Sequence, residues 1–378
     1  MLKRLLAVFA VALLTVATYA AAAELRPDHP SSYTVRKGDT LWDISARFLA
    51  QPWLWPEIWQ ANPQIANPHL IYPGDVISLA YLDGEARLQV SERGTLQPRA
   101  EEYPIDAVPL SQIEPFLRDL RVLDQVDNLP YVIGMEGERL RGTAGQLIYV
   151  RGISGAKPGD TFAVVRPSVR YTRIDDNGGT KRARATDLDF RGKPHRGVEW
   201  GNTWRDVGGG DKEVLGYEVM TQARAQVVAV EGEASSLLVL DEGRDIREGD
   251  RLVAVTAIPY DLQFVPHASA AIPAGARVLA AADGINAGAR SVVALSVGSR
   301  DGVDNGTVYS IWRPGPHVPD RVKHPTYSGA VNDRTKVPDE YSGHVMVFRT
   351  FEKVSYGLIM DSVRSSAPGD LLKHPDGN

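Results

Sequence analysis

Side chains capable of covalent or metal chemistry are few and scattered in this sequence. It contains no cysteine, which excludes thiol nucleophiles, disulfides and thiolate metal sites. The eight histidines show neither H-x-H nor H-E-x-x-H spacing, and there is no G-x-S-x-G, S-x-x-K or P-loop motif. Glycosidase carboxylates can come from distant segments and leave no motif, so that class stays open. We expect a non-enzymatic protein without metal or cofactor.

The charge balance argues against a nucleic-acid partner. The chain has 42 Lys and Arg against 47 Asp and Glu, a net charge of −5. A nucleic-acid surface normally needs a strongly basic face. The 43% apolar content is that of a folded protein, and 378 residues suggest two or three domains.

The first 23 residues have the three zones of a secretory signal peptide. Lys3 and Arg4 precede an apolar run over 5–19, and small residues end at Ala23. A membrane anchor is the alternative, but the run is shorter than the ~20 residues that span a bilayer. We expect cleavage after 1–23 and export to the periplasm, with no transmembrane segment afterwards.

The segment 33–79 predicts a small module of strand, helix, helix and strand. Asp39 or Thr40 can cap a helix that begins at Leu41, and apolar residues recur on one face of that helix. Pro56 suits the first turn of a second helix. Asn-Pro and Pro-Gly-Asp turns then lead into the closing strand.

This module resembles the LysM domain. The motifs that carry the resemblance are YTVRKGDTLWDI at its start and IYPGDVI at its end, in matching spacing. The resemblance implies a βααβ fold that binds glycans containing N-acetylglucosamine, chiefly peptidoglycan. It places the glycan groove between two loops, formed by Gly38, Asp39, Thr40 and Leu41 and by Asn67, Pro68, His69, Leu70 and Ile71.

A tryptophan-rich stretch departs from the common LysM pattern. Four of the seven tryptophans lie within 18 residues: Trp42, Trp53, Trp55 and Trp59. A small module needs large side chains to fill its core, so we assign Trp42 and Trp59 to the core. Trp53 and Trp55 could complete the core, or they could stack on sugar or contact a partner.

The rest of the chain carries an internal repeat. Residues 157–167 align without gaps onto 304–314, both ending in Arg-Pro, and a Gly-led strand and a Gly-Asp turn follow in each copy. Gly-Asp turns also recur by chance in β proteins. The repeat favours an α+β protein whose C-terminal region has two related small β units, barrel-like or sandwich-like. The predicted bounds are 80–130 for a linker with a short helix, 131–253 with a polar insertion at 168–213, and 254–374 with an insertion at 315–340.

The whole architecture is similar to the TsaP family of type IV pilus secretin-associated proteins. An exported LysM protein with the tryptophan-rich insertion, no cysteine and a β-rich C-terminal part carries that likeness, and the C-terminal part is similar to the flagellar FlgT C-terminal domain. The resemblance implies a periplasmic protein that anchors or aligns the outer-membrane secretin on peptidoglycan, oligomeric around its partner. Two alternatives are a LysM scaffold of a flagellar-type ring and a cell-wall hydrolase with a LysM targeting module.

Overall fold

The computed structural model divides the chain into two compact units, 1–105 and 106–378. The predicted signal segment lies outside the residues that the structure describes. The described residues are 24–56, 71–82, 85–91, 110–173, 185–187, 213–241, 243–255, 264–269, 271–282, 286–323 and 333–377.

The first unit is built on a three-stranded antiparallel sheet. Strand β1 (Ser32–Thr34) pairs with β2 (Val76–Leu82), and β2 pairs along its whole length with β3 (Glu85–Ser91). Helix α1 (Leu41–Phe48) lies between β1 and β2 in the chain. The stretch after residue 79, predicted as a linker, therefore begins by adding a third strand to the module.

Helix α1 forms where its sequence predicts. Thr40 is the N-cap, and the buried face includes the apolar residues expected from the helical spacing. The helix ends at Phe48, and a 3₁₀ turn follows over Pro52–Leu54. Trp55 and Pro56 are again helical, but the rest of the predicted second helix lies outside the described residues.

The second unit begins with a short helix and continues almost entirely as strands. Helix α2 (Leu110–Arg118) leads into β4 (Leu120–Leu123). Seven more strands complete the first sheet: β5 (Tyr131–Met135), β6 (Leu147–Arg151), β7 (Thr161–Thr172), β8 (Ala185–Asp187), β9 (Val214–Glu231), β10 (Ala234–Val239) and β11 (Arg251–Ala254).

A second set of strands follows toward the C-terminus. Its members are β12 (His267–Ala268), β13 (Val278–Ala281), β14 (Val292–Leu295), β15 (Thr307–Arg313), β16 (His317–Pro319), β17 (Arg334–Lys336), β18 (Glu340–Thr350), β19 (Ser355–Ser362) and β20 (Leu371–Lys373). Strands β16 and β17 pair only with each other and lie in the predicted second insertion. In the first copy, β7 continues to Thr172, so the start of that predicted insertion belongs to a strand.

Within each set, six of the strands close into a ring. The first ring runs β7-β9-β10-β6-β5-β11 and back to β7. The second runs β15-β18-β19-β14-β13-β20, closed by the β20–β15 pairing and a bridge between Arg277 and Leu371. Position for position, the two rings have the same strand order. The α+β class with a small LysM-type module and a large β-rich region is therefore confirmed.

A buried polar cluster joins the two rings. The Glu218 carboxylate on β9 accepts hydrogen bonds from the hydroxyls of Tyr171 on β7 and Tyr356 on β19, both at 2.7 Å. All three side chains are buried. Burial, together with the Glu218 charge, raises the pKa of both tyrosines well above its ordinary value. A carboxylate shared between rings is stabilised only while these donors stay in place.

Candidate glycan-binding site

The first loop of the predicted groove is a tight turn closed by its own aspartate. The Asp39 carboxylate accepts hydrogen bonds from the Arg36 backbone N–H at 2.7 Å and from the Tyr33 hydroxyl at 2.8 Å. Partial burial, and then this bond to Asp39, raise the pKa of Tyr33. Gly38 is exposed with φ +92°, and a Cβ there would meet no atom of the described residues within 4 Å. As far as those residues extend, the loop therefore has open space in front of Gly38.

The next two residues of this loop turn their side chains into the fold. The Thr40 hydroxyl oxygen accepts from the Asp43 backbone N–H at 3.1 Å, while the Asp43 carboxylate accepts from the Thr40 N–H at 3.2 Å. This reciprocal pair is a capping box. Leu41 is fully buried. A ligand at this loop would therefore meet backbone groups and the Gly38 face rather than the side chains of Thr40 or Leu41.

The second loop is described only from Ile71 onward, and it lies against the end of β1. The Val35 N–H donates to the Asp75 carbonyl at 2.9 Å, and the Gly74 N–H donates to the Val35 carbonyl at 2.8 Å. Ile71 is buried. These bonds hold the turn at Gly74 and Asp75 against the backbone just before the first loop. Four predicted groove residues lie outside the described residues: Asn67, Pro68, His69 and Leu70.

The tryptophans of the described segment belong to the core. Trp42, Trp53 and Trp55 are each 5% exposed or less. The Trp42 and Trp53 rings lie 6.5 Å apart with their planes tilted by 36°. Trp53 and Trp55, which the sequence left open, thus fill the interior rather than offer a stacking surface. Trp59 lies outside the described residues.

The residues that position these loops were not singled out by sequence reasoning. Tyr33 braces the first turn, and the Asp75 carboxylate accepts from the Tyr72 N–H at 3.0 Å in the second. The available signal was the Gly-Asp pair that both loops share. In each, the aspartate closes the turn by accepting from the N–H three residues earlier.

Comparison with known proteins identifies the module. Residues 33–80 match the LysM domain family, in agreement with the predicted span. A 60-residue stretch is 37% identical to the "Uncharacterized protein YqbP" of Bacillus subtilis (strain 168), which covers 13% of this chain and 27% of that protein. The chain thus spans about a quarter of that relative's length. Residues 33–80 therefore form a LysM domain, a module that binds carbohydrate of the cell wall.

The described residues contain neither a metal-binding cluster nor a membrane-spanning helix. Within the ranges given above, no group of three or more His, Asp or Glu side chains is arranged to hold a metal ion. Within the same ranges, no helix has the length and apolar character needed to cross a membrane.

Proposed function

We propose that this protein binds peptidoglycan through the face of its LysM domain that carries the Gly38 turn. The observation that carries the proposal is the exposed Gly38 turn within the family-matched module, which the Asp39 carboxylate closes. Backbone N–H and C=O groups in tight loops suit the N-acetyl amides of wall glycans, and the open space before Gly38 leaves room for them.

Retention on purified peptidoglycan sacculi tests this proposal. The variant Gly38→Gln fills the space in front of the turn with a neutral side chain. The matched control is Gly159→Gln in the β-rich region, because Gly159 is also exposed, has φ +102° and has no atom within 4 Å of a Cβ. Each variant carries about 1–2 kcal/mol of backbone strain. We expect G38Q to lose most retention and G159Q to keep it. Equal retention of G38Q and wild type would refute the site.

We further propose that 131–253 and 254–374 are two related domains that form a protein-binding body. The identical strand order of the two rings supports a duplication. The Glu218–Tyr356 bond between them supports a body that behaves as one piece. Such a body can bear load between a wall contact and a second partner.

The partner we propose is the outer-membrane secretin of the type IV pilus machinery, which the protein would anchor or align on the cell wall from the periplasm without catalysis. The TsaP-like architecture supports this choice. A single small glycan groove binds weakly, but several copies around a secretin ring would act together. Linked sites of this kind gain as much as roughly 10²–10⁴-fold in avidity.

Co-purification tests the partner. The tagged full-length protein is isolated from envelopes of cells that make type IV pili, and secretin enrichment is measured against a strain without the tag. We expect secretin to co-purify and the enrichment to persist in G38Q, because the wall contact is separate from the body. Enrichment of a flagellar ring component instead of secretin would contradict the proposed partner. Release of soluble muropeptides from sacculi would contradict the non-enzymatic role.

A further inference from the structure

A polar cavity of about 340 Å³ opens beside the first ring. It lies where β7 and β9 meet the segment before β11, and its lining includes Arg166, Met220, Gln222, Arg244 and Asp245. Its size is that of a pocket for a small ligand or the end of a chain. It belongs to the β-rich region and is separate from the proposed glycan site.

Gln222 supplies an acceptor that none of the described residues uses. The side chain is 3% exposed, and its Nε2 donates to the Met220 carbonyl at 2.9 Å. That bond fixes the orientation of the amide, so the oxygen Oε1 is the atom left over. Oε1 is buried, and no described residue donates a hydrogen bond to it. A buried acceptor without a donor is costly, and a ligand N–H or O–H at this position would relieve that cost.

Arg166 and Asp245, the other charged side chains of the cavity, already have charged partners. Arg244 is therefore the cation available to a ligand. Arg166 donates to the Asp250 carboxylate at 2.8 and 2.9 Å, and Asp245 accepts from Arg247 at 2.8 Å. Arg244 is exposed, and its guanidinium contacts the sulfur of Met220. Among the described residues, no carboxylate pairs with it.

In the second ring, the arginine equivalent to Arg244 is paired with a carboxylate. Arg166 pairs in register with Met220, and the repeat partner of Arg166, Arg313, pairs with Glu340. Both arginines donate to a carbonyl at 2.7 Å, those of Asp245 and Ser365.

The residue before each of those carbonyls is an arginine, and its surroundings differ between the two rings. Arg364, which precedes Ser365, forms an ion pair with the Glu340 carboxylate. Arg244, which precedes Asp245, faces Met220 in place of a glutamate. Among the described residues, the first ring therefore has no carboxylate beside Arg244, whereas the second ring has Glu340 beside Arg364.

We propose that this cavity binds a ligand that carries a carboxylate next to an amide N–H. The ligand carboxylate pairs with Arg244, where Glu340 pairs with Arg364 in the second ring, and the N–H donates to Gln222 Oε1. Charge-assisted bonds from arginine to carboxylate are strong and directional. The carboxyl terminus of a peptide has this chemistry, and so does N-acetylmuramic acid.

Titration of the full-length protein with three probes tests the proposal by calorimetry. The probes are N-acetyl-alanyl-alanine, its C-terminal amide, and N-acetylmuramic acid. We expect one of the two carboxylates to bind, which identifies the source, and the amide to bind at least tenfold more weakly. Failure of both carboxylates to bind would overturn the proposal, and so would equal binding of the amide.

Two variants and a control localise the binding. Arg244→Gln removes the cation at an exposed position without touching the core, and Gln222→Met removes the acceptor at similar volume. The matched control, Arg364→Gln, removes the equivalent exposed arginine of the second ring. We expect about tenfold weaker binding in R244Q and Q222M and no change in R364Q. Binding by R244Q as tight as by wild type would overturn the assignment, whatever the stability of Q222M.

Discussion

Asp370 should make the second ring less stable at neutral pH than at mildly acidic pH. Its side chain is buried in a Gly-Asp turn that precedes β20, and the Oδ2 atom accepts from the Ala367 N–H at 2.9 Å. Burial raises the pKa of this carboxyl to about 6, because its effect exceeds that of the Ala367 hydrogen bond and of the Arg313 and Arg277 charges, which lower the pKa. The protein thus folds around a carboxyl that prefers to be neutral.

The sign of the effect follows from that raised pKa. Below about pH 4 the carboxyl is protonated in both the folded and the unfolded chain, so it has no effect on stability. As pH rises from 4 to 6, the unfolded chain releases its proton first, and the free energy of unfolding falls. The shift from 3.8 to about 6 corresponds to roughly 3 kcal/mol of lost stability by pH 7. Asp370→Asn should restore about this amount at pH 7 and nothing at pH 4.

Urea unfolding of wild type and D370N at pH 4, 5, 6 and 7 measures this difference. The other titrating groups are common to both proteins and cancel, so the difference reports on residue 370 alone. Asn keeps a carbonyl oxygen to accept from the Ala367 N–H. A stability difference that does not change with pH, or a D370N protein less stable than wild type at pH 7, would contradict a raised pKa of Asp370 as the cause of the lost stability.

Variants at three further positions test single contacts by the same unfolding assay at pH 7. Asp250→Ala, at the equivalent turn of the first ring, should lower stability by about 1–3 kcal/mol, because Arg166 and the Arg247 N–H both lose their acceptor. Thr40→Ala should lower LysM stability by about 1 kcal/mol, because it removes the capping box, whereas Thr40→Ser should keep it. Tyr356→Phe should lower stability by about 1–3 kcal/mol, because the buried Glu218 loses a donor. An unchanged midpoint in any variant would contradict the contact assigned to it.

The turns were the most predictable part of the fold. Five x-x-Gly-Asp segments, ending at Asp39, Asp75, Asp160, Asp250 and Asp370, share one geometry. In each, the glycine has a positive φ, and the carboxylate accepts from the N–H three residues before it. This chemistry is local, so the sequence alone indicates it. The same locality explains why such turns are weak evidence for duplication by themselves.

The duplication becomes visible only through long-range pairing. The strand orders of the two rings agree because β5 and β13 close against β11 and β20, more than 90 residues away. No local pattern encodes such pairings. The burial of Trp53 and Trp55 likewise depends on where the 3₁₀ turn places them against α1, and composition alone does not fix that.

The sequence located one of the two candidate sites, and the other could be found only in the structure. The YTVRKGDTLWDI motif locates the first glycan loop, but only the structure shows that Thr40 and Leu41 point inward. The cavity at Gln222 and Arg244 has no sequence signature. It follows from comparing the two rings, in which Met220 stands where the second copy has Glu340.

The proposed link between the cell wall and a secretin can be measured by reconstitution. Purified secretin is mixed with peptidoglycan sacculi alone, with the wild-type protein added, or with G38Q or G159Q added, and the secretin that sediments with the sacculi is quantified. We expect secretin to sediment with wild type and with G159Q but not with G38Q. Secretin that sediments equally well with G38Q, or without any added protein, would contradict a link through the LysM domain.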